Sequence, residues 1–299
     1  MAAPTSQART HSGSSYTTLP DSARLGSSRP GRSRAARSLA SDPHNYMAYS
    51  VVRCQFVQSG PCVGVQSGTR LDKGGGVMMG IRVVAVDVGS VRSNFAWAGL
   101  DLPGRQPVGA GGTEPQGAAV AVLSALTTGA RVALGFEAPI VLPVSPVDQV
   151  DGWKTLGQAR SGETVGGRSR PWSAGAGSSA LATGLVQMAW VLQRVSADLP
   201  EVSCTTRPHT WLSGRANLFL WEAFVSGTAK PVPAGTSQHA ADAAAAAATF
   251  AERLESGSLD EADVVCAPMS SFNLAAATAV YAQMTIDVDE LHLPAQVYR

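Results

Sequence analysis

The sequence predicts an α/β domain built on a mixed sheet, in which an antiparallel three-strand meander continues into parallel strands and helices flank the faces. Three observations carry this. The short β-branched run Val83-Val84-Ala85-Val86-Asp87-Val88-Gly89 reads as a strand buried on both faces. Two more short apolar runs follow so closely that no crossover helix fits between them, which makes the three antiparallel. A helical pattern then leads to a second buried run, Arg131-Val132-Ala133-Leu134-Gly135-Phe136-Glu137, which ends, like the first, in an acid.

The acid in the first strand requires explanation. A carboxylate buried without a partner is costly or stays protonated, so Asp87 needs a cation, a donor or a chemical role. Capping the next turn is the plainer alternative. Gly89 lets the chain turn and lets a ligand approach the backbone. Phe95-Ala96-Trp97-Ala98-Gly99-Leu100-Asp101 reads as the second strand, Leu102-Pro103-Gly104-Arg105 as a type II turn, and Gln106–Ala110 as the third strand. With no helix straight after the first strand, a dinucleotide-binding βαβ start is disfavoured. Thr113 or Glu114 opens a helix through Thr127, with Val120, Leu123 and Leu126 at helical spacing. The strand at 131–137 must stop at Ala138-Pro139, because proline cannot donate to a ladder. Glu137 is then either a solvated strand end or a second acid beside Asp87 on one rim, where open α/β sheets place their sites.

Residues 140–178 read as one long Gly-, Ser- and Pro-rich loop holding Arg160, Arg168, Arg170 and Trp172. Within Arg170-Pro171-Trp172-Ser173-Ala174-Gly175-Ala176-Gly177, Arg170 suits bidentate phosphate binding and Trp172 suits stacking on a base. Ser173 and its small neighbours permit close backbone approach. The alternative is a surface loop with Trp172 tucked onto the core. Leu181, Leu185, Met188, Leu192 and Val195 then mark a helix with a core-facing stripe. Val202–Thr206 reads as a fifth strand, with His209 and Trp211 in the loop behind it. Leu218-Phe219-Leu220-Trp221-Glu222-Ala223-Phe224-Val225 reads as an apolar helix whose one acid, Glu222, either supports the site from behind or faces water. Ser237 caps a further helix on which His239 and Asp242, three residues apart, share a face. The alanines around them let that helix pack tightly, although the helix dipole alone also favours an acid there. Val264–Ala267 reads as a strand and Phe272–Met284 as a helix. No internal repeat is visible.

Charge and cysteine usage limit the function classes. Nine of the 23 Lys/Arg but only three of the 22 Asp/Glu precede Met78, so the remainder is acidic. Such a body lacks the broad basic surface of a strong duplex binder, and any nucleic-acid contact must be local. Cys54, Cys62, Cys204 and Cys266 form no CxxC pair and have no close histidine partner, which argues against a zinc site and fits a reducing, cytoplasmic compartment. No apolar run approaches the length of a membrane span. Residues 1–77 are rich in Ser, Arg, Gly, Ala and Pro without a lasting period and are expected to be disordered. Their composition imitates a transit peptide. However, Lys73-Gly74-Gly75-Gly76 precedes Met78 and Met79, and Lys-Gly-Gly codons can spell a purine-rich ribosome-binding site. Translation is therefore expected to start at Met78 or Met79 in a GC-rich bacterium, with 1–77 an over-long reading of the gene and 78–299 the folded domain. Intact mass of the native protein tests this.

Taken together, strand-Asp, meander, helix, strand-Glu, helices and helix-Asp resemble the ribonuclease-H-like fold. More narrowly, the chain is similar to a bacterial family of predicted RNase-H-like nucleases with a domain of unknown function. The resemblance rests on Val86-Asp87-Val88-Gly89, Gly135-Phe136-Glu137-Ala138-Pro139, Arg170-Pro171-Trp172-Ser173-Ala174-Gly175, Leu220-Trp221-Glu222-Ala223-Phe224 and His239-Ala240-Ala241-Asp242-Ala243. It covers nearly everything from Met79 onward and nothing before it. It implies that Asp87, Glu137 and Asp242 bind a divalent metal, Mg²⁺ or Mn²⁺, for phosphodiester hydrolysis of a nucleic-acid or nucleotide substrate. His239 would then shuttle a proton, Arg170, Trp172 and Ser173 would hold substrate, and Glu222 and Gly89 would support the centre from behind. Two other readings remain open. Asp87-Val88-Gly89-Ser90 also resembles the first phosphate-binding turn of actin-like ATP-dependent phosphotransferases, although no second such turn follows. A non-catalytic domain of the same fold, binding a ligand or a protein, suits the acidic body.

Overall fold

The structure is a computed structural model that describes residues 80–90, 93–108, 112–164, 171–225, 230–233 and 235–299. The expectations for 1–77, Cys54, Cys62, Arg168 and Arg170 lie outside the described residues. All described residues belong to one unit, Asp72–Arg299.

A mixed sheet forms the centre. Its strands are β1 (Ile81–Asp87), β2 (Ala96–Leu102), β3 (Gln106–Pro107), β4 (Arg131–Phe136), β6 (Cys204–Thr205), β7 (Leu218–Ala223) and β9 (Val297–Tyr298). A separate ribbon pairs β5 (Val141–Val144) with β8 (Ser270–Asn273). The main order is β3-β2-β1-β4-β7-β6, and β9 also lies against β7. The meander β1-β2-β3 is antiparallel, while β1-β4, β4-β7, β6-β7 and β7-β9 are parallel. The helices are α1 (Pro115–Thr127), α2 (Gly175–Asp198), the short α3 (Pro208–Leu212), α4 (Gln238–Ser256) and α5 (Leu274–Tyr281).

The period of two in each strand divides the core into two layers. Val84, Val86, Val132, Leu134, Phe136, Leu218 and Leu220 pack with residues of α1, α2 and α5. Val83, Ala85, Ala133, Phe219, Trp221 and Ala223 pack on the other face with Ala246, Ala247 and Phe250 of α4. Small side chains let α4 approach closely. Ser237 caps it as expected, its Oγ accepting from the Ala240 amide at 3.2 Å.

Several expectations are corrected. Leu218–Ala223 is a fully buried strand, not a helix: a continuous apolar run has no periodicity to distinguish the two. Within the 140–178 segment lie β5 and a 3₁₀ turn at Gly152–Thr155. Trp211 is fully buried on α3. On α1 the buried residues include Ala118, Val122, Ala125 and Leu126, whereas Val120 is half exposed. The turn after β2 has the positive φ at Gly104 that a type II turn requires at its third position, and Arg105 after it also has positive φ. Cys204 and Cys266 are buried free thiols. Burial and the nearby Glu290 charge push the Cys204 thiol up to about 12, so it stays neutral.

Gly135 accounts for the fit between β4 and β7. It stands opposite Trp221 in the ladder, and a Cβ there would lie 2.3 Å from the indole ring. Gly135→Ala is therefore expected to destabilise the domain by about 1–3 kcal/mol through overpacking, measured by urea unfolding.

Candidate metal centre

Asp87 is the last residue of β1, and Glu137 directly follows β4, where its amide donates to the Val86 carbonyl at 2.8 Å. The two strands are adjacent and parallel, so both acids reach the same edge. Parity puts them on one face as well: Val83 and Ala85 face α4, and Asp87 continues that series, as Glu137 continues the series of Ala133. Asp242 enters from the start of α4 on that same face. Each of the three offers one oxygen, and these oxygens lie within 4.8 Å of one another. Asp87 is 6 % exposed, Glu137 4 % and Asp242 1 %.

Like charges this close and this dry repel strongly unless cations balance them. Nearby donors help as well. His239 Nδ1 is 2.7 Å from Asp87 Oδ2, and Lys230 Nζ donates to Asp242 Oδ2 at 2.6 Å. Gln238 Nε2 donates to Asp242 Oδ1 at 2.7 Å. Burial works against the Lys230 charge. The hydrogen bond to Asp242 and the fields of Glu137, Asp242 and Asp87 outweigh it and raise its pKa above the usual lysine value. From behind, Gln187 of α2 grips both backbone groups of Gly89, donating to its carbonyl and accepting from its amide. Gly184, one turn earlier, brings α2 against the sheet edge, since a Cβ there would lie 2.4 Å from the Ala138 methyl.

Asp87 and Glu137 open into a cleft of about 460 Å³, while Asp242 is buried next to them. Asp87, Glu137, Lys230 and His239 form its polar wall, and Ala176 and Thr183 of α2 contribute to the other side. The donor set is all carboxylate oxygen, which suits a hard divalent cation such as Mg²⁺ or Mn²⁺ rather than zinc.

No protein-family model matches this chain, and neither the curated proteins nor the solved structures hold a match to it. The functional argument therefore rests on the geometry.

Not every residue singled out in the sequence joins the cluster. Glu222 falls on the opposite parity of β7 from Phe219 and Trp221, so it leaves the sheet on the other face from Glu137. There Arg160 meets it at 2.7 Å with both terminal nitrogens, and the Ile140 amide donates to it at 2.9 Å. Its role is to hold the segment after β4 in place. Trp172 and Ser173 tie down a neighbouring loop instead of lining the cleft. The Trp172 indole donates to the Gln158 carbonyl at 2.8 Å and Ser173 Oγ to the Gly157 carbonyl at 2.5 Å. Three residues escaped the sequence reading. Gln187 and Gln238 carry no motif. Lys230 sits alone before Pro231-Val232-Pro233, and only its place in space gives it meaning.

Proposed function

We propose that this chain is a metal-dependent phosphodiester hydrolase of the ribonuclease-H-like kind, acting on a nucleic acid or nucleotide. The observation that carries the reading is the convergence of Asp87, Glu137 and Asp242, 155 positions apart at the extremes, at one sheet rim, where the first two line a cleft. The element order and the mixed sheet, with its antiparallel opening meander, support the same fold resemblance. When bound, Mg²⁺ or Mn²⁺ supplies positive charge for the phosphate oxygens and a lowered pKa for the attacking water. The three carboxylates hold that charge in place. His239, with Nδ1 donating to Asp87, keeps Nε2 as an acceptor for the proton that water loses as it adds to phosphorus and the ester P–O bond breaks. Lys230 lines the cleft where a phosphate would enter.

The test is a panel of single- and double-stranded DNA and RNA, incubated with purified protein in Mg²⁺, in Mn²⁺ and in chelator. Cleavage that needs the ion is expected; no cleavage of any substrate overturns the hydrolase reading. Ion binding without turnover is the result that a non-catalytic binding domain would give.

A further inference from the structure

Lys230 places a cation directly on the acid cluster. Its ammonium is in direct contact with Asp242, feels all three carboxylates, and is 41 % exposed through the cleft while Asp242 is almost wholly buried. Gln238 takes the other oxygen of Asp242, so both oxygens of that carboxylate are already engaged by protein donors. One oxygen of Asp87, Oδ2, is engaged by His239 Nδ1. A second divalent ion on Asp242 would therefore have to displace Lys230 or Gln238 from oxygens they already hold.

We propose that Lys230 Nζ permanently fills one cation position of the acid cluster, so that the centre takes one divalent ion rather than a pair. This rests on the metal-centre reading above. It makes Lys230 a positioning residue that sets stoichiometry, and it places a fixed positive charge beside the phosphate without a second ion.

Calorimetric titration of the full chain with Mn²⁺ alone tests the proposal, with the bound ions counted independently by electron paramagnetic resonance. Wild type is expected to bind one ion. Lys230→Met should bind two, with the first roughly tenfold tighter because a like charge has been removed. Lys230→Arg, which keeps the charge, should remain at one. Should the methionine variant not fold, Lys230→Ala leaves room for water and serves in its place. Equal stoichiometry and affinity in wild type and the neutral variants overturns the role of Lys230 while leaving the metal centre standing. A wild-type chain that binds no ion overturns both.

Discussion

Arg160→Met is expected to lower the unfolding free energy by about 3–5 kcal/mol, a large part of the 5–15 kcal/mol typical of a domain. Arg160 is 1 % exposed and lies between two fully buried acids, Glu163 and Glu222. Its Nε donates to Glu163 at 2.8 Å, its terminal nitrogens to Glu222 at 2.7 Å, and one of them also to the Val141 carbonyl at 3.1 Å. Burial disfavours the guanidinium charge, but the flanking acids more than compensate and hold it protonated. Methionine fills much of the volume but strands two carboxylates in the interior, the costly way to break a buried pair. Urea unfolding followed by fluorescence of the buried Trp211 and Trp221 measures the loss. Arg160→Met with Glu222→Gln should lose less than the sum of the single changes, because the two residues are coupled. A single variant within about 1 kcal/mol of wild type would show that the network is not essential to the fold.

Asp87→Asn is expected to reduce ion-dependent cleavage about a thousandfold, equivalent to about 4 kcal/mol of transition-state stabilisation. The substitution preserves shape, and the amide oxygen can still accept from His239 Nδ1. It removes one of the three charges proposed to hold the ion. Single-turnover rates on the cleaved substrate read the effect, and an unchanged melting curve without metal shows that the fold is intact. A variant that cleaves at the wild-type rate would remove Asp87 from the centre and with it the hydrolase proposal.

The parts legible in the sequence were those with a clear period or a terminal signal. β1 and β4 are short β-branched runs that each stop at an acid, and α4 begins with a serine cap and a run of alanines. The register between β1 and β4 then places Asp87 and Glu137 side by side, as the repeated pattern had suggested. β7 was misread because a strand buried on both faces shows no alternation, and that error hid the parity which turns Glu222 away from the other acids. β5 and β8 escaped because their pairing is long-range, between segments more than 120 positions apart, and neither has a strong local pattern. Lys230 and Gln187 were unreadable for a related reason: each gains its role from a partner that only the folded chain supplies.

The first two turns of α4 carry Gln238, His239 and Asp242 together, the first two touching acids from the side and the third being one. Helical residues advance about 100° each around the axis. Their phase is therefore common property: a one-residue insertion between Asp242 and the buried Phe250 would swing all three about a quarter-turn away from β1 at once. Rotation of a single rigid rod, rather than loss of any one side chain, is the mutation class to which this rim is most vulnerable.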